Sequence, residues 1–257
     1  MKLPLLAFFI LLLSSGAGAQ TVDALGTFTP YSLFGIGEIE KQGSAMNIGM
    51  GGIGVAVRNN RFINYLNPAS ITERDTLSFM MDVGMDIKNF YNKDNDVSSA
   101  YNAFNMRNIV ITLPIYKKSA LILGFVPISN IGYKFASSET DPLIVSKYGD
   151  IKYYKYGSGS ANKLFVGGAL NIGKKLAVGV ELIDYFGTLY KHSDVEFSSD
   201  NTIRTIVSGN DYTISAFSAK FGAQFFTPFA NDKYLLTLGA TYSIGRDLGG
   251  DITDYSY

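Results

Sequence analysis

A long one-sided alternation at residues 76–91 constrains the fold of this chain more than any other feature. On one side of the predicted strand the residues are all apolar, and on the other most are polar or charged. The apolar positions are Leu77, Phe79, Met81, Val83, Met85 and Ile87. Because strand side chains alternate between faces, one face is predicted to be apolar and the other wet. The pattern exceeds a typical globular strand and suits the roughly nine to eleven residues of a tilted membrane-crossing strand.

The same alternation recurs along the chain. Further strands are predicted at residues 107–116, 119–135, 163–172, 176–190, 212–226 and 234–244. Short turns at 117–118, 173–175 and 227–233 alternate with long polar connections at 92–106, 136–160 and 191–211. Outer-membrane barrels sort their connections in this way. The sequence therefore predicts an all-β fold, a transmembrane antiparallel β-barrel. A long-stranded soluble sandwich is the alternative.

Charge on the polar strand faces separates these two folds. Asp82, Asp86, Glu181 and Lys220 fall on faces that a sandwich would bury. Unpaired charges are costly in such a core, whereas a wet or plugged lumen accepts them. About seven strands are predicted, and residues 245–257 are predicted to be a loop-like tail. Because a membrane tolerates no open sheet edge, we expect this to be the N-terminal half of a larger barrel.

The first residues resemble an export signal. Lys2 gives the charged start, residues 5–13 are apolar, and residues 17–19 are small. We expect cleavage before Gln20 and a location in the outer membrane of a gram-negative bacterium. The chain has no cysteine, which excludes a disulfide framework. The predicted organisation is a signal peptide at 1–19, a hatch or plug segment at 20–75 and barrel strands at 76–257.

Charge and histidine content weigh against several function classes. The 22 basic and 22 acidic residues balance, so no basic footprint for nucleic acid is expected. His192, the single histidine, stands in Lys191-His192-Ser193-Asp194. Neighbours in an extended chain point to opposite faces, so this is not a Ser-His-Asp triad. We therefore expect no enzyme activity and no cofactor. The acidic stretches at 94–96 and 200–211 could offer oxygen ligands to Ca²⁺, but neither has EF-hand spacing, so we expect solvated loops and no metal site.

The densest glycine cluster lies at residues 47–70. Gly49, Gly51, Gly52 and Gly54 fit the spacing of a dinucleotide-binding loop, but no predicted strand precedes them and no βαβ pattern follows. Glycines also let backbone pack closely on backbone and allow turns with positive φ. We interpret this stretch, which ends in Asn67-Pro68-Ala69, as a plug inside the barrel.

Three stretches of the chain carry a resemblance to a known family. They are residues 50–57 (Met-Gly-Gly-Ile-Gly-Val-Ala-Val), residues 65–70 (Tyr-Leu-Asn-Pro-Ala-Ser) and residues 31–37 (Tyr-Ser-Leu-Phe-Gly-Ile-Gly). The chain resembles a divergent branch of the FadL/TodX family of outer-membrane transporters for hydrophobic compounds. The resemblance implies a fourteen-stranded barrel and passive uptake of long-chain fatty acids. It places the hatch at Gly49, Gly51, Gly52, Gly54, Asn67, Pro68 and Ala69.

Pro127 interrupts the third predicted strand, between Gly124 and Gly132. Proline gives no N–H to a ladder, so within sheets it is confined to edges, strand starts and bulges. Either the strand carries a bulge there, or it ends near Val126 and Pro127 begins a loop. The family resemblance implies the former, an inward kink with a lateral gap toward lipid.

Two main functions follow, and a surface adhesin is a third. The first is a transporter for a fatty-acid-like molecule, working as a monomer in outer-membrane lipid. The alternative is a non-transporting barrel that binds partner proteins, a secretion-accessory or surface interaction protein (PorV-like). The lumen discriminates between them: a transporter needs a continuous apolar pocket, whereas an interaction protein can have a packed polar interior.

Overall fold

The computed structural model describes residues 26–73, 79–94, 97–116, 119–199, 202–231 and 233–256. The predicted signal peptide and the start of the first predicted strand lie outside these residues. Within them the chain is an antiparallel half-barrel of seven strands, which confirms the all-β prediction. None of the helices in the described part has the length and apolar character needed to cross a membrane.

The strands follow one another in sheet order from β2 to β8, and each pairs antiparallel with the next. The strands are β1 (Glu38–Ile39), β2 (Met80–Asp94), β3 (Val97–Tyr116), β4 (Ser119–Ser138), β5 (Asp150–Ile172), β6 (Leu176–Ser199), β7 (Thr202–Phe229), β8 (Tyr234–Ser243) and β9 (Gly249–Ser256). The helices are α1 (Ala45–Gly49), α2 (Pro142–Tyr148) and two 3₁₀ helices, Pro30–Leu33 and Pro68–Thr72.

The predicted long polar connections are largely strand. β6 runs for 24 residues and β7 for 28, and the two pair without a register shift from Leu176–Phe225 up to Ser199–Thr202. At about 3.3 Å per residue, β6 is roughly 80 Å long, far more than a membrane crossing needs. The prediction of loops was wrong because these upper halves have no one-sided apolar pattern, while their hydrogen-bond ladder continues.

The predicted C-terminal loop is also partly strand. β9 pairs with β7 from Ser208–Ser256 to Ser215–Gly249, while β8 pairs with the lower part of the same strand. Ser218 Oγ donates to the Ile244 carbonyl at 2.8 Å and bridges the break between them. β8 and β9 therefore form one interrupted line along β7.

The half of the sheet nearest the turn at 173–175, which joins β5 and β6, is called the lower half, and the opposite half is the upper half. The outward face of the lower half carries an apolar belt. Its exposed side chains include Met81, Val83, Leu121, Leu123, Leu164, Val166, Val180, Leu182, Phe217, Phe221, Leu236 and Leu238. The inward face is buried against the N-terminal segment, where Tyr65 and Ile71 pack on Val110, Ile122 and Phe165. The core of this protein therefore lies between the sheet and the residues that precede it.

The sheet divides between β3 and β4. Their pairing runs from Tyr116–Ser119 to Ile109–Phe125 and goes no further within the described residues. β4 itself continues through Pro127, with a register shift against β5 between Pro127 and Ser129. Beyond that shift, β1 pairs with β4 at Ser129 and Asn130, so the N-terminal segment enters the gap between the two strands.

Candidate functional site

The inner segment, defined as residues 41–73, begins with a short capped helix. Ser44 is the N-cap of α1, and its side chain and that of Asn47 each accept a hydrogen bond from the other's backbone. Asn47 Nδ2 also donates to the Ile53 carbonyl at 2.9 Å and to Asn64 Oδ1 at 3.3 Å. This reciprocal capping satisfies free helix N–H groups and anchors an otherwise irregular chain.

The glycine cluster follows α1 and forms a turn. Gly49 is the last residue of α1, and Gly51 and Gly52 have φ values of +78° and +87°. Gly54 lies buried against Leu66 and Asn47. A helix therefore precedes these glycines, whereas in a dinucleotide-binding loop the helix follows them. Their positive φ angles explain the glycines at positions 51 and 52 without a ligand.

The second 3₁₀ helix begins at the Asn67-Pro68-Ala69 motif and packs against the inward face of β6 and β7. Asn67 Oδ1 accepts from the Ala69 N–H at 3.0 Å, so Asn67 caps the helix. Its Nδ2 donates to the carbonyls of Val55 at 2.7 Å and Ala223 at 3.2 Å. Asn67 is fully buried, and these contacts join the inner segment to β7.

Two glycines of the sheet form the seat of Pro68. Gly179 on β6 and Gly222 on β7 are directly opposite each other. A Cβ at Gly179 would lie 2.7 Å from the Pro68 carbonyl carbon, and one at Gly222 would lie 2.7 Å from Pro68 Cδ. Only the absence of both side chains lets the helix approach the strands this closely.

Polar side chains complete the contact between the inner segment and β7. Gln224, fully buried, donates to the Val55 carbonyl at 2.9 Å and accepts from Arg58 Nη1 at 3.0 Å. Arg58 also pairs with Glu73 at 2.7 Å and lies 3.9 Å above the Phe226 ring. The interior at this level is thus a hydrogen-bonded packing interface.

Three charged residues lie beneath Tyr65. Glu181 is 3% exposed, and Lys163 and Lys220 come from the neighbouring strands β5 and β7. Lys220 Nζ donates to the Tyr65 carbonyl at 3.4 Å, and Lys163 Nζ lies 6.0 Å from the Tyr65 ring centre. Burial raises the pKa of Tyr65 to about 12, so its hydroxyl stays protonated; it accepts from the Gly43 N–H at 3.0 Å. Sequence reasoning placed Glu181 and Lys220 on the wet face but did not bring them together.

The wedge, defined as residues 26–40, fills the lower part of the gap between β3 and β4. Glu40 forms an ion pair with Lys88 of β2 and accepts from Asn130 Nδ2 of β4 at 2.7 Å. Phe28 stacks on Tyr101 of β3, with ring centres 4.7 Å apart. The wedge therefore holds the two sides of the gap together.

The proline and its flanking glycines lie beside this gap. The Pro127 carbonyl accepts from Gln42 Nε2 at 3.0 Å, so the inner segment contacts β4 at the register shift. A Cβ at Gly124 would overlap the Phe165 ring. The Gly132 N–H donates to Ser32 Oγ of the wedge at 3.1 Å.

His192 belongs to a separate cluster on the upper half of the sheet. Its Nε2 lies 3.2 Å from Asp211 Oδ1 and 2.7 Å from the Tyr255 hydroxyl. Tyr156 packs edge-on against the ring at 4.9 Å. Sequence reasoning missed this cluster because β9, which carries Tyr255, was predicted to be a loop. Among the described residues, no group of three or more His, Cys, Asp or Glu side chains is placed to hold a metal ion.

A long-stranded antiparallel half-barrel with an apolar outward belt is typical of outer-membrane proteins. The chain belongs to the BamG family, whose model matches residues 1–255. No curated protein and no solved structure matches it in the comparisons made. The family and the fold agree with association with the outer membrane of gram-negative bacteria.

This match corrects the family resemblance. BamG is a different family from FadL/TodX, so the assignment to a hydrophobic-compound transporter was wrong. The expectations that depended on it, fatty-acid uptake and a fatty-acid-like partner bound by a chain working alone, are overturned with it. The glycine-rich turn and the Asn-Pro-Ala motif misled because they meet backbone and packing needs of this fold that are not specific to one family.

Proposed function

We propose that this protein is an accessory of outer-membrane protein assembly that works by contacting partner proteins. The observation that carries the proposal is the match to the BamG family over nearly the whole chain, because that family points to partnership with the BAM complex. The proposed role is one of binding and positioning and requires no reaction.

The packing of the interior supports a partner-binding role over transport. A larger cleft of about 350 Å³ lies higher, beside Phe28 and Tyr101, whereas around the inner segment one cavity near Ile63 and another near Pro127 hold about 10 Å³ each. A cavity of that size holds about one water. The hydrogen bonds of Asn67 and Gln224 cross the same interface. An apolar cargo would have to break them without replacing them.

We further propose that residues 26–73 act as a fixed plug, and that in the membrane the half-barrel is part of a closed wall. Hydrocarbon offers no partner to an open strand edge, so the edges of β2 and β8 must be paired there. The plug would set the curvature of the wall through its seat on β6 and β7.

Co-purification tests the proposed function. The protein carrying an affinity tag is isolated from outer membranes in mild detergent, and BAM subunits are quantified. An unrelated tagged outer-membrane barrel of similar abundance is the control. We expect enrichment of BAM subunits over that control. Isolation of the protein with BAM subunits at the control level contradicts the proposal.

A further inference from the structure

The upper part of the gap between β3 and β4 presents two strand edges to each other. Above the Ile109–Phe125 pair, β3 pairs with no described strand except β2, and it contacts the wedge through Asn105 Nδ2, which donates to the Gly26 carbonyl at 2.7 Å. Over the same height, β4 is paired with β5 on its other side. Free strand edges are templates for pairing with another chain.

The lower part of this gap already accepts an extended strand. Within the wedge, Glu38 and Ile39 pair with Asn130 and Ser129 of β4. The Glu40 N–H donates to the Ile128 carbonyl at 2.8 Å. The edge of β4 is therefore aligned and accessible enough to be extended by polypeptide from inside the molecule.

Beyond β1, no described strand pairs with the same edge. The Gly132 N–H faces it, because it donates to Ser32 Oγ. Since successive residues of a strand direct their backbone groups to opposite edges, Lys134 and Ala136 face the same edge as Gly132. Among the described residues, no backbone or side-chain group on this side bonds to the main chain of Lys134 or Ala136.

Aromatic side chains wall a cleft of about 350 Å³ beside this edge. Phe28 stacks on Tyr101 on the β3 side, and Tyr133 stacks on Phe135 on the β4 side, with ring centres 4.7 and 5.1 Å apart. Lys134 lines the cleft, is exposed and forms no ion pair with any described residue. The cleft thus offers backbone groups, aromatic surfaces and one unpaired positive charge.

We infer that this cleft binds an extended segment of a partner polypeptide, which continues the strand addition begun by β1. The segment would pair with the edge of β4 at Lys134 and Ala136, place alternate aromatic or aliphatic side chains between the two aromatic stacks, and set a carboxylate opposite Lys134. Main-chain bonds supply affinity in this mode, and alternate side-chain pockets supply specificity. The choice of a protein partner rests on the proposed function.

Binding of a defined peptide to the purified full chain tests this inference. The probe is a fluorescein-labelled synthetic peptide alternating Tyr and Thr, with one central Glu, and binding is followed by fluorescence anisotropy in detergent. Ala136→Pro removes an edge-facing N–H while leaving the ladder to β5 intact, and Ala136→Val is the matched control that keeps the N–H. We expect Ala136→Pro to weaken binding about three- to tenfold and Ala136→Val to leave it unchanged.

Peptides N-methylated along one edge keep the test independent of how the variants fold. Methylation of the edge that faces β4 should weaken binding to the unmodified protein, and methylation of the opposite edge should not. Equal loss with both peptides, no binding, or equal affinity in the proline and valine variants overturns the inference. Dimerisation of the protein without peptide binding also overturns it, in favour of a second copy as occupant. None of these outcomes affects co-purification with BAM subunits, which tests the proposed function separately.

Discussion

Gly179 and Gly222 lie directly opposite each other on β6 and β7, and Pro68 rests on the backbone that the pair leaves uncovered. This contact fixes the height of the inner segment on the sheet. It also explains why Asn67, one residue earlier, can reach the Ala223 carbonyl at 3.2 Å. The seat joins a turn motif visible in the sequence to two strand glycines more than a hundred residues away.

Adding a side chain to the glycine pair under Pro68 should displace the inner segment. Gly179→Ala places a methyl group 2.7 Å from the Pro68 carbonyl carbon and 2.8 Å from the Ala69 nitrogen, both backbone atoms that cannot rotate away. We expect a loss of about 1–3 kcal/mol in the free energy of unfolding, measured by denaturant titration in detergent. Gly245→Ala, where a Cβ meets nothing within 4 Å, is the control and should be neutral. Equal stability of both variants contradicts the seat.

Removing the Asn67 side chain should loosen the same contact. Asn67→Ala deletes the cap of the 3₁₀ helix and the side-chain bond to the Ala223 carbonyl, and it leaves the Val55 carbonyl with its bond from Gln224 Nε2. We expect a cost of about 1–3 kcal/mol and faster hydrogen exchange at Ala69. The exposed Asn59, whose side chain accepts from the nearby Arg61 N–H at 2.8 Å, is the matched position, and Asn59→Ala should cost much less. Unchanged exchange at Ala69 in Asn67→Ala would speak against the cap.

The free-energy cost of placing an arginine on the outward face of β6 should depend on its depth in the membrane. Leu182, outward on β6 and 46% exposed, lies between Val166 and Ala219 in the belt. Leu182→Arg should cost about 2–4 kcal/mol in lipid vesicles if it lies near the bilayer midplane. Ser198→Arg, on the same strand near its upper end, should cost about 0–1 kcal/mol. Similar costs at both positions would remove the argument for a membrane-embedded lower half.

The ion pair of the wedge should hold β1 in place. Glu40→Gln removes the charge that pairs with Lys88 but leaves an oxygen for Asn130 Nδ2. Among the described residues, the ion-pair partner that then remains for the partly buried Lys88 is Glu38, at 3.6 Å. We expect faster hydrogen exchange at Glu40, whose N–H donates to the Ile128 carbonyl, read by mass spectrometry, with little change in Lys41→Gln because Lys41 is exposed. Protection equal to the unmodified protein would show that backbone pairing alone holds β1.

The sequence predicted the strands of the lower half of the sheet correctly, because only one face of each strand is buried there. Residues such as Val180 and Leu182 face outward at every second position, and that period identifies both the strand and its orientation. In the upper half, Tyr190, His192 and Asp194 face the same side as each other, and no apolar period marks them. Strand structure there depends on ladder hydrogen bonds between segments distant in sequence, which composition does not reveal.

The site was predictable only in outline. The glycine density and Asn67-Pro68-Ala69 indicated an irregular segment packed against a wall, yet its partners Gly179, Gly222 and Gln224 carry no local signal. The wedge was missed because Glu38 and Ile39 are too short a run for any periodicity. Pro127 indicated a disturbance in β4, but which strand would enter beside it depends on tertiary contacts.

The proposed role of this chain is to serve outer-membrane protein assembly through partner contacts. It is tested most directly by depleting the protein from growing cells and quantifying other β-barrel proteins in the outer membrane by mass spectrometry. We expect that unrelated barrels decline together while the protein itself is lost, and that re-expression restores them. Unchanged barrel levels, with a selective loss of oleate uptake instead, would contradict it.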